Sequence, residues 1–313
     1  MDYLALLIGL AGLWFGTEIT IRGAIAFAER LGVSEFIVGV AILSIGSDLP
    51  ELAIAVDGAL KNLYAGDTSD VIVGTALGSS LGQIGFVLGV AALFSYLTLP
   101  KSTIYRHGSV LLGSVVLLGV FGLDGRVSQT EGFALVTVYF IYFAALFGDR
   151  KKTASHDDED GAIGLLRAWA YLLVGLIIII VSAEFTVNGA IAVAAELEIS
   201  EAFVAVIIIG LGTSLPELSI SVGAAIKRRA RMSVGNLIGS NIFDTLVPVG
   251  AAAAISGLRF DPNLLRYEVP FLFVLSLIVL VFFVRKRGIQ KSEAVTILAL
   301  YGGYVLIKFS STF

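Results

Sequence analysis

Apolar stretches about 20 residues long, separated by short polar breaks, run through the whole chain. As helix, that length crosses a hydrocarbon core. The pattern predicts ten spans, near 3–29, 36–60, 70–97, 103–122, 130–148, 164–195, 201–226, 232–256, 268–284 and 293–309. Two of them do not read as plain lipid-facing helices. Ile45-Gly46-Ser47-Asp48-Leu49-Pro50-Glu51-Leu52 in span two returns as Leu211-Gly212-Thr213-Ser214-Leu215-Pro216-Glu217-Leu218 in span seven. A carboxylate beside a helix-breaking Pro at membrane depth is expensive to place. Its presence at matching positions of two halves predicts an ion pathway built from an internal repeat.

The repeat extends well beyond the motif. Residues 6–60 align without a gap on residues 172–226, with about 25 of 55 positions identical, including Glu18/Glu184, Gly23/Gly189, Ser34/Ser200 and Glu35/Glu201. Further on, Gly74, Gly78 and Ser79 match Gly235, Gly239 and Ser240. Similarity between two apolar helices explains matched Leu and Ile, but not matched Glu, Pro, Ser and Gly. Five spans per half is an odd number, so the second half enters the membrane from the opposite side. The expected fold is therefore an all-α polytopic membrane protein with ten transmembrane helices in two inverted five-helix repeats. The first repeat covers 1–148, with its α-repeat near 36–97. A cytoplasmic linker covers 149–163. The second repeat covers 164–313, with its α-repeat near 201–256.

Charge placement sets the orientation. With the N-terminus outside, the inner loops and helix ends hold fifteen Lys and Arg against five on the outer side, the positive-inside bias of membrane proteins. Both termini are then extracellular, in a multi-pass protein of the cell membrane. The first span has no cationic start and no small-residue cleavage site, so it is expected to be a retained helix rather than a signal peptide.

Composition narrows the chemistry. The chain is 57% hydrophobic and 15% charged, with mean hydropathy +0.93, against roughly 25% charged residues in a soluble domain. Zero Cys excludes thiolate metal sites. His107 and His156 are the only imidazoles, and both fall near expected loops, which argues against transition-metal transport. No Gly-rich loop followed by Lys supports nucleotide binding, and nothing points to nucleic acid. No feature specifies an oligomeric state.

The polar residues inside the repeats are hard oxygen donors. Pro50 and Pro216 cannot donate to the carbonyls of Gly46 and Gly212, and a bound cation is one partner that would meet such carbonyls in lipid; a serine hydroxyl is the other. Glu51 lies four residues after Ser47, and Glu217 four after Thr213, so carboxylate and hydroxyl share a face. Asp48 and Ser214 precede each Glu by three. Ser79 with Gln83, and Ser240 with Asp244, are again four apart. Carboxylates, hydroxyls, an amide and backbone carbonyls suit Ca²⁺ and Na⁺ rather than soft metals. The competing reading is buried salt bridges, but the core spans offer almost no basic partner: Arg22 lies four after Glu18, which it is expected to neutralise. Glu18 and Glu184 are read as structural. Gly74, Gly78 and Gly82 follow a small-xxx-small spacing and are expected to pack helices closely. The acidic run Asp157-Asp158-Glu159-Asp160 reads as a solvated linker.

The segments Gly-Thr-Ser-Leu-Pro-Glu at 212–217 and Gly-Asn-Leu-Ile-Gly-Ser-Asn-Ile-Phe-Asp at 235–244 resemble the α-repeat signatures of the cation/Ca²⁺ exchanger superfamily, nearest its prokaryotic sodium/calcium exchangers. The resemblance implies that Glu51 and Glu217 are central Ca²⁺ ligands shared with Na⁺, flanked by Ser47 and Thr213. It places Ser214, Ser79, Ser240 and Asp244 along the ion pathway, and the carbonyls of Ser44 and Gly210 at backbone ligand positions. It further implies that the first and sixth helices slide past a fixed core, which Gly9, Gly12, Gly16, Gly175 and Gly189 would permit. The first repeat departs from the signature. Asp48 replaces a small residue, Thr75 replaces Asn, Gln83 replaces Asn or Asp, and Ser80-Leu81-Gly82 stands where the second repeat has Asn-Ile-Phe. Close carboxylates cannot all ionise cheaply, so the extra acid is expected to make transport pH-sensitive.

The expected function is secondary antiport of Ca²⁺ against Na⁺ by alternating access, with no prosthetic group and no enzymatic activity. H⁺/Ca²⁺ exchange is the first alternative and a passive cation channel the second. An intramembrane aspartyl hydrolase would need a motif such as Gly-x-Gly-Asp, which does not occur, and would leave Glu51 and Glu217 unexplained.

Overall fold

The computed structural model describes residues 2–64, 66–148, 164–196, 212, 214–286 and 288–312. The chain forms α1 (Asp2–Leu31), α2 (Glu35–Ser47), α3 (Leu49–Asn62), α4 (Ser69–Phe94), α5 (Lys101–Phe121), α6 (Gln129–Gly148), α7 (Leu165–Glu196), α8 (Leu215–Ile226), α9 (Ala230–Ser256), α10 (Leu264–Lys286) and α11 (Lys291–Thr312). Among the described residues seven helices are long and apolar enough to cross a membrane, and the bent pair α2/α3 makes an eighth. Helix α8 has 12 residues, too few to cross alone. The protein is thus a multi-pass, all-helical membrane protein. Helix boundaries fall within a few residues of those read from hydropathy, except at the start of the seventh span, which lies outside the described residues. The linker 149–163, with His156 and the acidic run, lies outside the described residues, as do Ser200 and Glu201.

Local chemistry fixes the helix ends that matter. Gly32 adopts φ 61° after α1, and Val33 N–H donates to the Ala28 carbonyl at 3.1 Å, a glycine-terminated C-cap. Ser34 then caps α2 by accepting from Ile37 N–H. Only three residues therefore separate α1 from α2. Ser128 and Glu131 form a reciprocal capping box at the start of α6.

Helix α9 is the centre of the molecule, buried over nearly its whole length. It crosses α2 without side chains between them. A Cβ on Gly235 would lie 2.5 Å from the Phe36 carbonyl oxygen, one on Gly239 2.7 Å from Val40 Cα, and one on Gly39 2.6 Å from the Met232 carbonyl oxygen. Around Gly74 and Gly78 of α4 no described residue lies within 4 Å of a Cβ; the repeat mates of Phe36 and Val40, Ala202 and Val206, lie outside the described residues. A second apolar cluster joins α1 and α7 through Leu13, Ile21, Leu172 and Ile179.

Short extended segments clasp the loops at two places. β1 (Arg126–Val127) pairs antiparallel with β2 (Leu258–Arg259), and Leu97 forms a single bridge with Ile289. Leu97 and Leu258 are repeat mates, and each bridge joins the loop after α4 or α9 to a loop of the other half. His107 needs correction. It is not near a loop but buried within α5, where Nδ1 lies 2.9 Å from the Tyr142 hydroxyl and the ring packs on Phe36.

Candidate functional site

The first Pro-Glu motif breaks its span rather than kinking it, and the second opens α8. Helix α2 stops at Ser47, and α3 starts at Leu49 with a 46° change of direction. Asp48 sits at the break with φ −89° and ψ 3°, and Ser214, at the start of α8, has φ −91° and ψ 9°. Pro50 and Pro216 fall in the first turn of the new helices, where a missing N–H costs nothing. Glu51 and Glu217 follow in that same turn and point inward. π-Helical turns at Gly39–Leu43 and Gln83–Val87 adjoin the site on α2 and α4, local widenings of the kind common where helices do chemistry.

Four acids meet between α2/α3, α8 and α9. Glu51 is 5% exposed, and Asp48, Glu217 and Asp244 are fully buried. Each has the others as its charged neighbours, and the Asp48 carboxyl abuts that of Glu217. No Lys or Arg stands among those neighbours. Both oxygens of Glu217, one oxygen each of Asp48, Glu51 and Asp244, and the hydroxyls of Ser214 and Ser240 have no hydrogen-bond partner among the described residues. Burying a single unpaired carboxylate costs several kcal/mol, and here four share one region. Such an arrangement calls for neutralisation, by a bound cation or by protons.

The remaining candidates divide by what they already hold. Gln83 Nε2 donates to Asp244 Oδ2 at 3.0 Å and to Ser79 Oγ at 3.1 Å, while its oxygen accepts from Asn241 at 2.9 Å. Gln83 and Asp244 are repeat mates, so the bond between them crosses the interface of the two halves. With both ends engaged, Gln83 orients Asp244, and its oxygen keeps one further acceptor site. The Ser44 carbonyl accepts from Ser47 Oγ at 3.2 Å and from Asp48 N–H at 3.0 Å, and Ser47 Oγ also approaches Asp48 Oδ1 at 3.4 Å. Thr213 and Gly210 lie outside the described residues. Gly82 explains its departure from the Phe of the second repeat: its Cβ would sit 3.7 Å from the Tyr301 hydroxyl and 3.4 Å from Ser214 Oγ. The tyrosine of α11 fills the space of a larger residue 82. Asn241 was not singled out from sequence, although it stands inside the quoted motif.

No three acidic or imidazole side chains among the described residues form a complete metal cage. Hydroxyl, amide and backbone oxygens interleaved with the acids must complete any coordination shell, which suits ions that accept 6–8 oxygens in flexible geometry. A cavity of about 10 Å³, lined by Glu51, Ile54, Ile72, Thr75 and Pro248, reaches Glu51 between α3, α4 and α9, room for about one water. A larger cavity of about 510 Å³ opens beside β1 and β2; none of the candidate ligands lines it.

The Asp244–Gln83 bond yields a first expectation. Gln83→Leu removes a donor from a buried carboxylate, worth about 1.5–3 kcal/mol, and should weaken apparent Ca²⁺ affinity about tenfold or more. Ca²⁺ dependence of uptake into vesicles measures it; an unchanged half-saturation would mean that Asp244 is held by other groups.

Comparison with known proteins converges on one description. Residues 1–148 and 167–310 match the family model "Sodium/calcium exchanger protein". A sodium/calcium exchanger of Methanosarcina acetivorans, MaX1, is 26% identical, with 99% of each chain covered. An uncharacterised membrane protein of Methanocaldococcus jannaschii is 30% identical, with 94% of each covered. Among solved structures, the sodium-calcium exchanger NCX_Mj soaked without Na⁺ and Ca²⁺ superposes with a TM-score of 0.83 at 28% identity, covering 96% of each chain.

Proposed function

The chain belongs to the sodium/calcium exchanger family and is a Na⁺/Ca²⁺ antiporter, and on that premise we propose which of its oxygens carry the ions. Glu51 and Glu217 form the centre of the site, with Asp48 and Asp244 as further charges. Ser47, Ser79, Ser214 and Ser240 supply hydroxyls, and Gln83 steadies Asp244. The resemblance of motifs adds Thr213 and the carbonyls of Ser44 and Gly210. The carrying observation is the contact of the Asp48 and Glu217 carboxyls amid oxygens that lack any donor.

The physical logic is competition. One buried cluster of negative charge holds Ca²⁺ or several Na⁺, and either load relieves the same repulsion. Binding one ion species therefore displaces the other, and an empty cluster is too costly to carry across. Ten helices in two inverted halves, 1–148 and 164–313, with the linker 149–163 cytoplasmic and both termini extracellular, fit the charge distribution of the loops. Reciprocal packing supports that arrangement. Gly9 meets Thr186 as Gly175 meets Thr20, and Gly23 meets Leu172 as Gly189 meets Leu6; each contact is the repeat image of the other.

The test is flux in proteoliposomes. Vesicles loaded with Na⁺ should take up ⁴⁵Ca²⁺ when diluted into Na⁺-free medium, and an imposed pH gradient alone should not drive uptake. The opposite result would establish proton coupling, which the relatives do not favour. Uptake that persists with no exchangeable ion inside would indicate a channel.

A further inference from the structure

The α1/α7 pair is symmetric in itself, yet it sits asymmetrically on the rest of the protein. Helix α1 is docked on α8. The Thr17 hydroxyl contacts the Ser219 hydroxyl, Gly223 makes room for Thr17 and Ile21, and Lys227 Nζ lies 2.6 Å from Glu18 Oε2. Arg22 holds the other oxygen of Glu18 at 2.8 Å. The equivalent docking of α7 on α3 is not made. Ile54 of α3 is 47% exposed, whereas its repeat mate Ile220 in α8 is 0% exposed. Lys61, the mate of Lys227, turns back to Asp57 of its own helix at 2.6 Å. Glu184, the mate of Glu18, is exposed and pairs with none of the described basic residues.

The sequence keeps the unmade docking possible. Where Thr17 faces Gly223, the mates are Ala183 and Asp57, so the larger side chain moves from one helix to the other. Asn188 stands where Arg22 does, leaving Glu184 with no cation one turn along its own helix. The Lys61–Asp57 pair is 51% and 63% exposed, and an exposed pair of this kind is given up at little cost. Two halves of opposite sense that exchange conformations would release α1 from α8 and dock α7 on α3.

We propose that Glu18–Lys227 and Glu184–Lys61 are alternating ion pairs, one closed in each of the two access states, and that they set the rate at which the antiporter turns over. The proposal rests on the exchanger reading above. It assigns a role to four residues outside the ion site. It also assigns the present structure to the state in which the Lys227 end is shut and the Lys61 end is open, consistent with the crevice that reaches Glu51 beside Ile54.

The chain contains no Cys, so a cross-linking test needs no background substitutions. The pairs Glu18→Cys with Lys227→Cys, and Glu184→Cys with Lys61→Cys, are reconstituted and treated with a short bifunctional methanethiosulfonate. Each pair should link, the second one chiefly during turnover. Either link should halt Na⁺-driven ⁴⁵Ca²⁺ uptake until reductant is added. In parallel, Glu184→Lys should slow exchange about threefold without changing equilibrium Ca²⁺ binding, and adding Lys61→Glu should restore the rate. Failure of the 184/61 pair to link in any mixture of Na⁺ and Ca²⁺, while 18/227 links, would overturn the proposal. So would a Glu184→Lys protein that exchanges at the unmodified rate. If the unmodified chain shows no Na⁺-driven uptake, the exchanger reading itself fails; if it does and only these variants misbehave, the fault is confined to the ion pairs.

Discussion

Glu217→Gln should abolish Na⁺-driven ⁴⁵Ca²⁺ uptake. The substitution keeps the shape of the side chain and removes one charge from a region that is 0% exposed. Removing one partner from a buried charged constellation costs about 3–5 kcal/mol, roughly 10²- to 10³-fold in cation affinity. The loss should be larger than for Gln83→Leu, because Gln83 acts through Asp244. Glu51→Gln should behave similarly. Its carboxylate borders the small cavity beside Ile54 and is the only one of the four acids with any exposure. Uptake above about a third of the unmodified level in either variant would contradict the assignment of these acids as central ligands. Protein yield and melting temperature should stay level or rise, since each change relieves repulsion among neighbouring carboxylates. A loss of folded protein would point to a structural role instead.

Gly235→Val should be the most damaging single change away from the acids. The added Cβ would meet the Phe36 carbonyl oxygen at 2.5 Å and Phe36 Cα at 3.2 Å. Backbone cannot rotate aside as a side chain can, so the penalty sits at or above the roughly 1–3 kcal/mol usual for overpacking. To relieve it, α2 must move away from α9. That motion carries Ser44, Ser47 and Asp48 away from Ser240 and Asp244, so transport and stability should fall together. Gly113→Val on α5 is the control: among the described residues nothing lies within 4 Å of its Cβ, and it should leave both melting temperature and uptake near the unmodified values. Equal behaviour of the two valine variants in detergent melts and in flux would refute the packing argument.

Much of this arrangement was legible in the sequence. Spans are announced by hydropathy because lipid tolerates little else, and the two Pro-Glu motifs stand out because an acid at that depth needs a reason. The ion pair of Arg22 with Glu18 follows from helical spacing alone. Other features depend on context that one strand of text does not carry. The break falls at Asp48, two residues before Pro50, because the proline is accommodated in the first turn of the next helix. His107 was misplaced because Lys101 and Arg106 mark a helix end, while the tertiary contacts of Phe36 and Tyr142 bury the imidazole. The small-residue spacing on α4 and on α9 looks alike, and among the described residues the close contact is at Gly235 and Gly239. Gln83 stands at a ligand position, and its bonds to Asp244 and Asn241 are visible only in the fold. Above all, two halves that share one pattern cannot announce which of them is docked. Sequence symmetry describes both arrangements at once, and only the folded chain chooses.

The two small β clasps bear on how such a machine avoids wasting its motion. Arg126–Val127 with Leu258–Arg259, and Leu97 with Ile289, stitch loops of one half to loops of the other, while α1 and α7 have no such stitch among the described residues. If α1 and α7 slide as the family resemblance implies, the stitched helices are the chassis they move against, and ion loading shifts a slim lever instead of flexing the cage that spaces the carboxylates.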